Sequence, residues 1–295
     1  MISGGLGQTQ PSLSRPPTLT IDAAGATDIG CVRPRNEDAY LIATLQRSMI
    51  VHDSSAEPRS GWLTGDAAGT LLVVADGMGG MGGGSTASRV AVQTISSYLL
   101  NVMPWVKERK GASAGRASLS SVPSVRDQLS SAVVMSDSTV RSTGASVGEP
   151  RMGTTLTMAL VLWPTLYVAH VGDSRCYLFR SGTLTRLTTD HTIAQQIADH
   201  GVAPLGPDSG LHHLLWNSLG GSETAKPQTT KLRLEPSDVV LLCSDGLTLH
   251  LSEDEIARTV ATSERAAALC SKLVQRAKAA GGLDNVTVVI ARPRV

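Results

Sequence analysis

The chain has 295 residues and a formal net charge of +1, with 41% hydrophobic and only 3% aromatic residues. The balanced charge provides no overall field for nucleic acid or an anionic membrane, and so few aromatic residues leave little for base stacking. Binding of an anion would therefore need a local site.

The cysteines are widely spaced and form no C-x-x-C pair, which argues against a zinc knuckle or a disulfide scaffold. They are Cys31, Cys176, Cys243 and Cys270. No apolar run approaches the ~20 residues of a membrane helix, and the N-terminus lacks the basic start and apolar core of a signal peptide. We expect a cytoplasmic protein with free thiols and no membrane segment.

Residues 1–18 are rich in Gly, Ser, Pro and Gln, which predicts a flexible tail before a single domain at 19–295. Apolar alternation and short apolar runs predict strands at 20–28, 39–45, 71–75, 154–163, 166–171, 175–180, 239–243 and 286–291. Helical periodicity predicts helices at 85–103, 125–143, 192–200 and 263–280. Ser252 followed by Glu255 predicts a capping box that begins a further helix at Glu253–Val260.

Two polar stretches interrupt this pattern. Residues 54–69 predict a long hairpin connection, and residues 107–123 (KERKGASAGRASLSSVP) predict a low-complexity insert between two helices. Strands and helices follow one another in blocks rather than in strict alternation. This order favours an α+β fold of packed layers with mainly antiparallel sheets.

Two Asp-Gly pairs stand at the ends of apolar strands. Asp76-Gly77 follows LLVVA, and Asp245-Gly246 follows VVLLCS. Alone, either pair would be a hairpin turn, because Asp-Gly is a strong turn dipeptide. Each pair is instead followed by a helical pattern, and an acid at the end of a buried strand is costly unless it is paired or binds a metal.

Three more aspartates lie at the ends of predicted strands. Asp38 precedes the strand at Ala39, Asp173 follows LYVAHVG, and Asp284 precedes VTVVIA. Each alone could be a solvated turn residue or a cap. Five acids at strand ends converge if the strands share one sandwich, and their carboxylates would suit Mg²⁺ or Mn²⁺. The joint pattern predicts a divalent metal site, with no His or Cys cluster to indicate zinc.

Seven segments, in order, resemble the metal-dependent protein phosphatases of the type 2C class, in their bacterial branch. They are GCVRPRNEDAY (30–40), LLVVADGMGG (71–80), MGTTLTMALV (152–161), VAHVGDSRCYLFRSG (168–182), LTTDHT (187–192), LLCSDGL (241–247) and GGLDNVTVVIAR (281–292). The resemblance runs from about Ala24 to Ala291. It implies a four-layer α-β-β-α sandwich, in which two mainly antiparallel sheets are flanked by helices.

The function implied by the resemblance is that of a protein serine/threonine phosphatase. Such an enzyme hydrolyses phosphoserine and phosphothreonine with a water activated at a binuclear Mg²⁺ or Mn²⁺ centre. The alternatives are a phosphatase dedicated to one anti-sigma-type partner, and a weak or inactive phosphatase-like module that binds phosphoproteins. The implied partners are phosphorylated protein substrates and a cognate Ser/Thr kinase, and the implied state is a monomer.

The resemblance also implies metal ligands. Asp76 would bridge two ions, Asp245 and Asp284 would complete the first site, and Asp38 with the Gly77 carbonyl would serve the second. Two-metal hydrolysis needs cations roughly 3.5–4 Å apart, a gap that one carboxylate can bridge. A glycine allows the backbone carbonyl to approach a cation closely.

Further roles follow from the same resemblance. Asp173 would hold a third, weaker ion, and Arg33 would bind the substrate phosphate through its planar fork. Arg35 is the rival for that phosphate and is expected to be a surface residue. Bacterial members often carry a His just after DGMGG, where this chain has Met81. Protonation of the leaving group is therefore open.

The remaining candidates are expected to be structural. His170 lies in a predicted strand and should belong to the core, and Asp190-His191 should form a hydrogen-bonded turn. His212 and His213 are expected on the surface, beside the active site.

Overall fold

The computed structural model describes residues 20–50, 62–79, 83–102, 123–201, 206 and 209–294. The predicted tail at 1–18 and Met81 lie outside these ranges, as does all but the last residue of the predicted insert at 107–123. Among the described helices, none combines the length and apolar character that a membrane span requires.

The described strands, in chain order, are β1 (Thr20–Asp28), β2 (Ala39–Ile50), β3 (Trp62–Ala75), β4 (Gly77–Met78), β5 (Gly153–Thr154), β6 (Leu156–Leu162), β7 (Thr165–Val171), β8 (Arg175–Arg180), β9 (Thr183–Arg186), β10 (Gln228–Arg233), β11 (Val239–Cys243) and β12 (Val286–Arg294). The described helices are α1 (Gly83–Val102), α2 (Val125–Val147), α3 (Ile193–Asp199), α4 (Asp245–Thr248), α5 (Glu253–Val260) and α6 (Ala266–Ala279). A short 3₁₀ helix covers Gly210–His212.

Two five-stranded antiparallel sheets carry the fold. The first has the order β1-β12-β11-β8-β9, and the second has the order β10-β7-β6-β3-β2. In the first sheet, β1 pairs with β12 from Thr20 opposite Arg294 to Asp28 opposite Val286. The beginning and the end of the described chain therefore lie side by side.

Alternating side chains divide the apolar core into three layers, because successive residues of a strand point to opposite faces. Leu71 and Val73 of β3 pack in the layer with α1 and α2. Leu72 and Val74 pack in the layer between the sheets, together with Val240 of β11. The two sheets thus share one buried interface.

The third apolar layer covers the outer face of the first sheet. Val239 and Leu241 of β11 pack there with Leu269 and Leu273 of α6, and all four side chains are buried. Helices therefore flank both sheets. The predicted α-β-β-α sandwich is confirmed.

Helix α5 begins where the sequence predicts it. The Ser252 hydroxyl accepts a hydrogen bond from the Glu255 backbone N–H, and the Glu255 carboxylate accepts one from the Ser252 backbone N–H. Ser124 and Asp127 form a second capping box at the start of α2. Each box satisfies N–H groups that a helix start leaves without partners.

The prediction of a hairpin connection at 54–69 is wrong over its second half, because β3 begins at Trp62. The segment WLTGDAAG contains turn-forming residues, yet Gly69 pairs with Leu45 and Ala67 pairs with Gln46. Pairing with β2 overrides the weak strand preference of Gly, Asp and Ala.

Three strands were absent from the prediction, the two-residue β4 and the longer β9 and β10. Strands β9 and β10 stand at the edges of their sheets and read TLTR and QTTKLR. Edge strands carry polar and charged side chains, so an apolar pattern does not reveal them.

Candidate metal centre

The antiparallel topology brings all five predicted aspartates to one end of the sandwich. Asp76 and Asp245 follow the ends of β3 and β11, whereas Asp38 and Asp284 lie just before β2 and β12. Asp173 lies in the turn between β7 and β8. Because neighbouring strands run in opposite directions, the carboxyl ends of β3, β7 and β11 meet the amino ends of β2, β8 and β12.

A cleft of about 820 Å³ opens at this end. It is lined by Arg33, Pro34, Arg35, Glu37, Asp76, Gly77, Met78, Gly79, Thr155, Asp173, His213, Leu214, Leu215, Ser218, Asp245, Asp284 and Asn285. Asp38 lies close enough to Asp76 to raise the pKa of that carboxyl. The cleft therefore has an acidic floor with two arginines at its wall.

Asp38 is held by two hydroxyl groups from the opposite sheet. Its Oδ2 accepts hydrogen bonds from Ser244 Oγ at 2.8 Å and from Thr287 Oγ1 at 2.6 Å. Its Oδ1 is buried and has no hydrogen-bond partner in the part of the chain that the structure describes. Burial raises the pKa of Asp38 to about 7, although the bonds from Thr287 and Ser244 act in the lowering direction.

Asp76 is positioned through its backbone. Its N–H donates to Thr155 Oγ1 at 2.9 Å, and its carbonyl accepts from Thr154 Oγ1 at 2.8 Å and from the Thr155 N–H at 2.9 Å. These bonds fix the Asp76 backbone at the end of strand β3. Thr154 and Thr155 thus support the residue that carries the central carboxylate.

Crowding of carboxylates sets the electrostatics of the cleft. Burial, followed by the charges of Asp38, Asp245 and Asp173, raises the pKa of Asp76 well above its usual value. Burial and the charge of Asp284 raise the pKa of Asp245. Ionised carboxylates at this spacing repel one another. A bound cation would remove that cost.

The donor set fits a hard divalent cation. Within the described part of the chain, the Oδ1 atoms of Asp38 and Asp245 are both buried and have no hydrogen-bond partner, and carboxylate oxygens are the ligands that Mg²⁺ and Mn²⁺ prefer. No three His, Cys, Asp or Glu side chains of the described residues stand together as a ready-made metal-binding group.

Glycine is required at position 77 because three backbone segments approach one another closely there. A Cβ at this position would overlap the carbonyl oxygens of Gly84 and Glu37. A larger residue would therefore push the start of α1 and the Asp38 loop apart. This crowding accounts for glycine at the position where the sequence predicts a carbonyl ligand.

Arg33 makes a contact that the sequence analysis did not anticipate. Its Nη2 donates to Asp284 Oδ2 at 2.5 Å, and its side chain is 54% exposed. The predicted phosphate ligand and a predicted metal ligand are thus paired with each other. Arg35 is exposed, as expected of a surface residue, and it also lines the cleft.

Asn285 organises the loop that carries Arg33 and Asp38, and sequence reasoning missed it. Its Nδ2 donates to the carbonyls of Ile29 at 2.9 Å and Arg35 at 2.8 Å, and its Oδ1 accepts from the Glu37 N–H at 2.8 Å. The only signal in the sequence is that Asn285 directly follows Asp284. Its side chain fastens the 29–37 loop to the start of β12.

The histidines differ in their placement. His170 is buried, as predicted, and its Nδ1 forms a hydrogen bond with Thr157 Oγ1 at 2.8 Å. The turn at Asp190 is structural, as predicted, because its carboxylate pairs with Arg175 at 2.7 Å. His213 is exposed and lines the cleft, in agreement with the expected surface position beside the active site, and it directly follows the 3₁₀ helix.

For the metal-free protein we expect the free energy of unfolding to fall between about pH 6.5 and 8.5, by roughly 1 kcal/mol or more. Burial raises the pKa of Asp38 to about 7 and that of Asp173 to about 8. The folded state therefore keeps protons that the unfolded state has already released, and this stability is lost as the pH rises through the folded values. Thermal unfolding in EDTA at several pH values measures the effect.

The pH window for that measurement is chosen because of the buried histidines. Burial lowers the pKa of His170 to about 3 and of His191 to about 4, so below about pH 6.5 they make stability rise with pH. Above that pH the contribution of these two histidines to the free energy of unfolding levels off. Saturating Mn²⁺ should flatten the decline, and a melting temperature in EDTA that rises from pH 6.5 to 8.5 would contradict the account.

Comparison with known proteins gives matches along most of the chain. The family model described as Protein phosphatase 2C matches residues 71–196, and the one described as Stage II sporulation protein E matches residues 164–294. Serine/threonine protein phosphatase PstP of Mycobacterium tuberculosis is 30% identical over 282 residues, which is 93% of this chain. The chain spans only 45% of the length of that relative.

Solved structures extend the similarity to three dimensions. The Mycobacterium tuberculosis phosphatase PstP/Ppp has a TM-score of 0.71 at 28% identity, covering 93% of this chain and 99% of that one. The catalytic domain of PstP in complex with two manganese ions has a TM-score of 0.70 at 29% identity, and the match covers 94% of this chain and 100% of that one.

A second sequence relative is covered over most of its length. Protein phosphatase PhpP of Streptococcus pneumoniae is 30% identical over 75% of this chain and 85% of its own length. This chain therefore belongs to the protein phosphatase 2C family.

Proposed function

We propose that this chain is a protein serine/threonine phosphatase that hydrolyses phosphoserine and phosphothreonine on proteins. The observation that carries the proposal is the convergence of five aspartates at one end of the sandwich, where oxygens of Asp38 and Asp245 are buried with no hydrogen-bond partner among the described residues. The named activity of PstP and PhpP, and the two manganese ions bound to PstP, support it.

We propose two Mn²⁺ or Mg²⁺ ions, with a third held more weakly. Asp76 would bridge the first two, Asp245 and Asp284 would complete one site, and Asp38 with the Gly77 carbonyl would complete the other. Asp173 would hold the third ion. When bound, such ions lower the pKa of a shared water and stabilise charge on the phosphoryl oxygens.

The protein residues would orient the substrate and the ligands. Arg33 is the proposed phosphate ligand, and its guanidinium would leave Asp284 to bind two phosphate oxygens. Such an exchange would also release the Asp284 carboxylate for a cation. Ser244 and Thr287 would keep Asp38 Oδ2 occupied, so that Oδ1 faces the proposed metal. Thr155 would hold the Asp76 backbone in place.

We further propose that residues 19–295 act as one phosphatase domain, because β1 closes the first sheet against β12. The proposed compartment is the cytoplasm, and the proposed opponent is a cognate Ser/Thr kinase that phosphorylates the same target proteins. The chain would act as a monomer. Three of the four cysteines are buried free thiols, which suits a reducing compartment. The full aspartate set argues against a module that only binds phosphoproteins.

Hydrolysis of a phosphothreonine peptide tests the proposal. We expect turnover with Mn²⁺ or Mg²⁺, loss of turnover in EDTA, and recovery when Mn²⁺ is added back. The cleft lining in the described part of the chain contains no cysteine, so Cys31→Ser should keep wild-type activity. Activity that persists in EDTA would refute the metal mechanism, and a metal-loaded chain that binds the peptide without turnover would favour the inactive module.

A further inference from the structure

One wall of the cleft is formed by a segment that has little secondary structure of its own. His213, Leu214, Leu215 and Ser218 line the cleft from this segment. The chain then continues through a loop at 219–226 and enters β10. Because the segment lacks a continuous backbone ladder, other contacts must determine where this wall stands. Two backbone hydrogen bonds tie the wall to the chain near the start of α3, from the Ile193 N–H to the Leu214 carbonyl and from the Trp216 N–H to the His191 carbonyl.

The loop that follows the wall is held by Asp137, in the middle of the outer helix α2. Its side chain is 3% exposed. Its Oδ1 accepts from the Gly220 N–H at 2.8 Å, and its Oδ2 accepts from the Ala225 N–H at 3.1 Å. Arg141 donates to the same Oδ2 at 3.0 Å and also to the Glu223 carbonyl. One buried carboxylate and its arginine thus clamp the beginning, middle and end of the 220–225 loop.

The clamped loop is continuous with the residues around the proposed metal site. Leu219 exchanges two backbone hydrogen bonds with Thr154, at 2.9 and 3.0 Å, and Thr154 Oγ1 donates to the Asp76 carbonyl. Asn217 Nδ2 lies 3.0 Å from His191 Nδ1, which also accepts from the Gly172 N–H beside Asp173. A shift of the 220–225 loop would therefore displace the 213–218 wall before it displaced the proposed metal ligands.

We propose that Asp137 is a positioning residue that holds the 213–218 wall in place for the peptide part of a phosphoprotein substrate. The inference rests on the proposed function. The metal ligands are carried by the ends of the strands, and the loop reaches Asp76 and Asp173 indirectly, through Thr154 and His191. Loss of the clamp should therefore affect a peptide substrate, which must contact the wall, more than a small phosphate ester, which needs only the floor of the cleft.

The test compares Asp137→Asn with a matched control, Asp238→Asn. Asp238 is equally buried and also accepts from an arginine, with Arg180 Nη2 at 2.7 Å, and from a backbone N–H, that of Glu235 at 2.7 Å. It precedes β11, at the opposite end of that strand from Asp245. Both substitutions remove a buried charge with an arginine partner, but only Asp137 contacts the 220–225 loop that follows the cleft wall.

For Asp137→Asn we expect KM for a phosphothreonine peptide to rise by about tenfold, because the amide keeps one neutral acceptor oxygen for two backbone N–H groups and Arg141, and its NH2 group faces a donor. The kcat for that peptide and the kcat/KM for p-nitrophenyl phosphate should stay within about twofold. Asp238→Asn should leave all of these constants near wild type. A KM rise in both variants, or an equal loss on both substrates, would overturn the inference.

Hydrogen exchange measured by mass spectrometry gives a readout that does not depend on activity. Amides of residues 213–226 should exchange faster in Asp137→Asn and not in Asp238→Asn, and unchanged exchange in that segment would also overturn the inference. If Asp137→Asn does not fold, Arg141→Gln gives the same contrast from a partly exposed position. An inactive wild-type chain would refute the proposed function, whereas the exchange data would still decide whether Asp137 holds the loop.

Discussion

Replacement of Asp76 by asparagine is expected to lower kcat/KM on a phosphothreonine peptide by at least about a thousandfold, with the fold retained. Asp76 is the carboxylate that the proposal assigns to both ions, and an amide provides neither the charge nor two equivalent oxygens. Asp245→Ala should behave in the same way. Turnover at saturating Mn²⁺ measures the effect.

The same substitution should leave the metal-free protein as stable as the wild type, or more stable. Burial, and then the charges of Asp38, Asp245 and Asp173, raise the pKa of Asp76, so an uncharged amide at this position removes both the cost of a buried charge and the repulsion. Asp190→Asn is the contrast, because Asp190 pairs with Arg175 at 2.7 Å and with Arg186 at 3.0 Å. That change should lower the melting temperature in EDTA. Near wild-type kcat in Asp76→Asn would show that the metal assignment is wrong.

The substitution Arg33→Ala should act on the substrate rather than on the metal. Loss of a charge-assisted hydrogen bond costs about 1.5–3 kcal/mol, so kcat/KM should fall at least about tenfold, mainly through KM. Removing the guanidinium also frees Asp284 from its ion pair. Mn²⁺ affinity should therefore stay the same or increase, and a Mn²⁺ titration of activity measures it.

The control for that experiment is Arg35→Ala, which should stay near wild type. Both arginines line the cleft, but the ion pair to Asp284 places Arg33 among the proposed metal ligands. A crippled Arg35→Ala together with a normal Arg33→Ala would transfer the phosphate role to Arg35. Weaker Mn²⁺ binding in Arg33→Ala would show that Arg33 supports the metal site itself.

The apolar strands and the aspartates that follow them were readable from the sequence. Strands β1, β8 and β11 begin and end where their apolar patterns predict, and helix α5 begins at its capping box. Each signal is local, because it depends on alternation or on a side chain that caps its own helix. The convergence of Asp76, Asp245 and Asp284 follows once these strands are placed in antiparallel sheets.

The parts that the sequence did not reveal depend on contacts between distant segments. Strand β3 begins at Trp62 because β2 pairs with it, although its own residues favour a turn. The pairing of Arg33 with Asp284 and the clamp of Asp137 on Gly220 join residues 251 and 83 positions apart. No local pattern encodes such partners, because each residue alone is typical of a surface ion pair.

The most direct test of the central claim is to count bound Mn²⁺ by equilibrium dialysis of the EDTA-stripped chain. The proposal expects two ions per chain, with a third that binds more weakly, and a clear loss of binding in Asp76→Asn. Asp190→Asn, which lies outside the proposed ligand set, should keep the wild-type number. A wild-type chain that binds no Mn²⁺, or an Asp76→Asn variant that binds as many ions as the wild type, would contradict the five-aspartate metal centre.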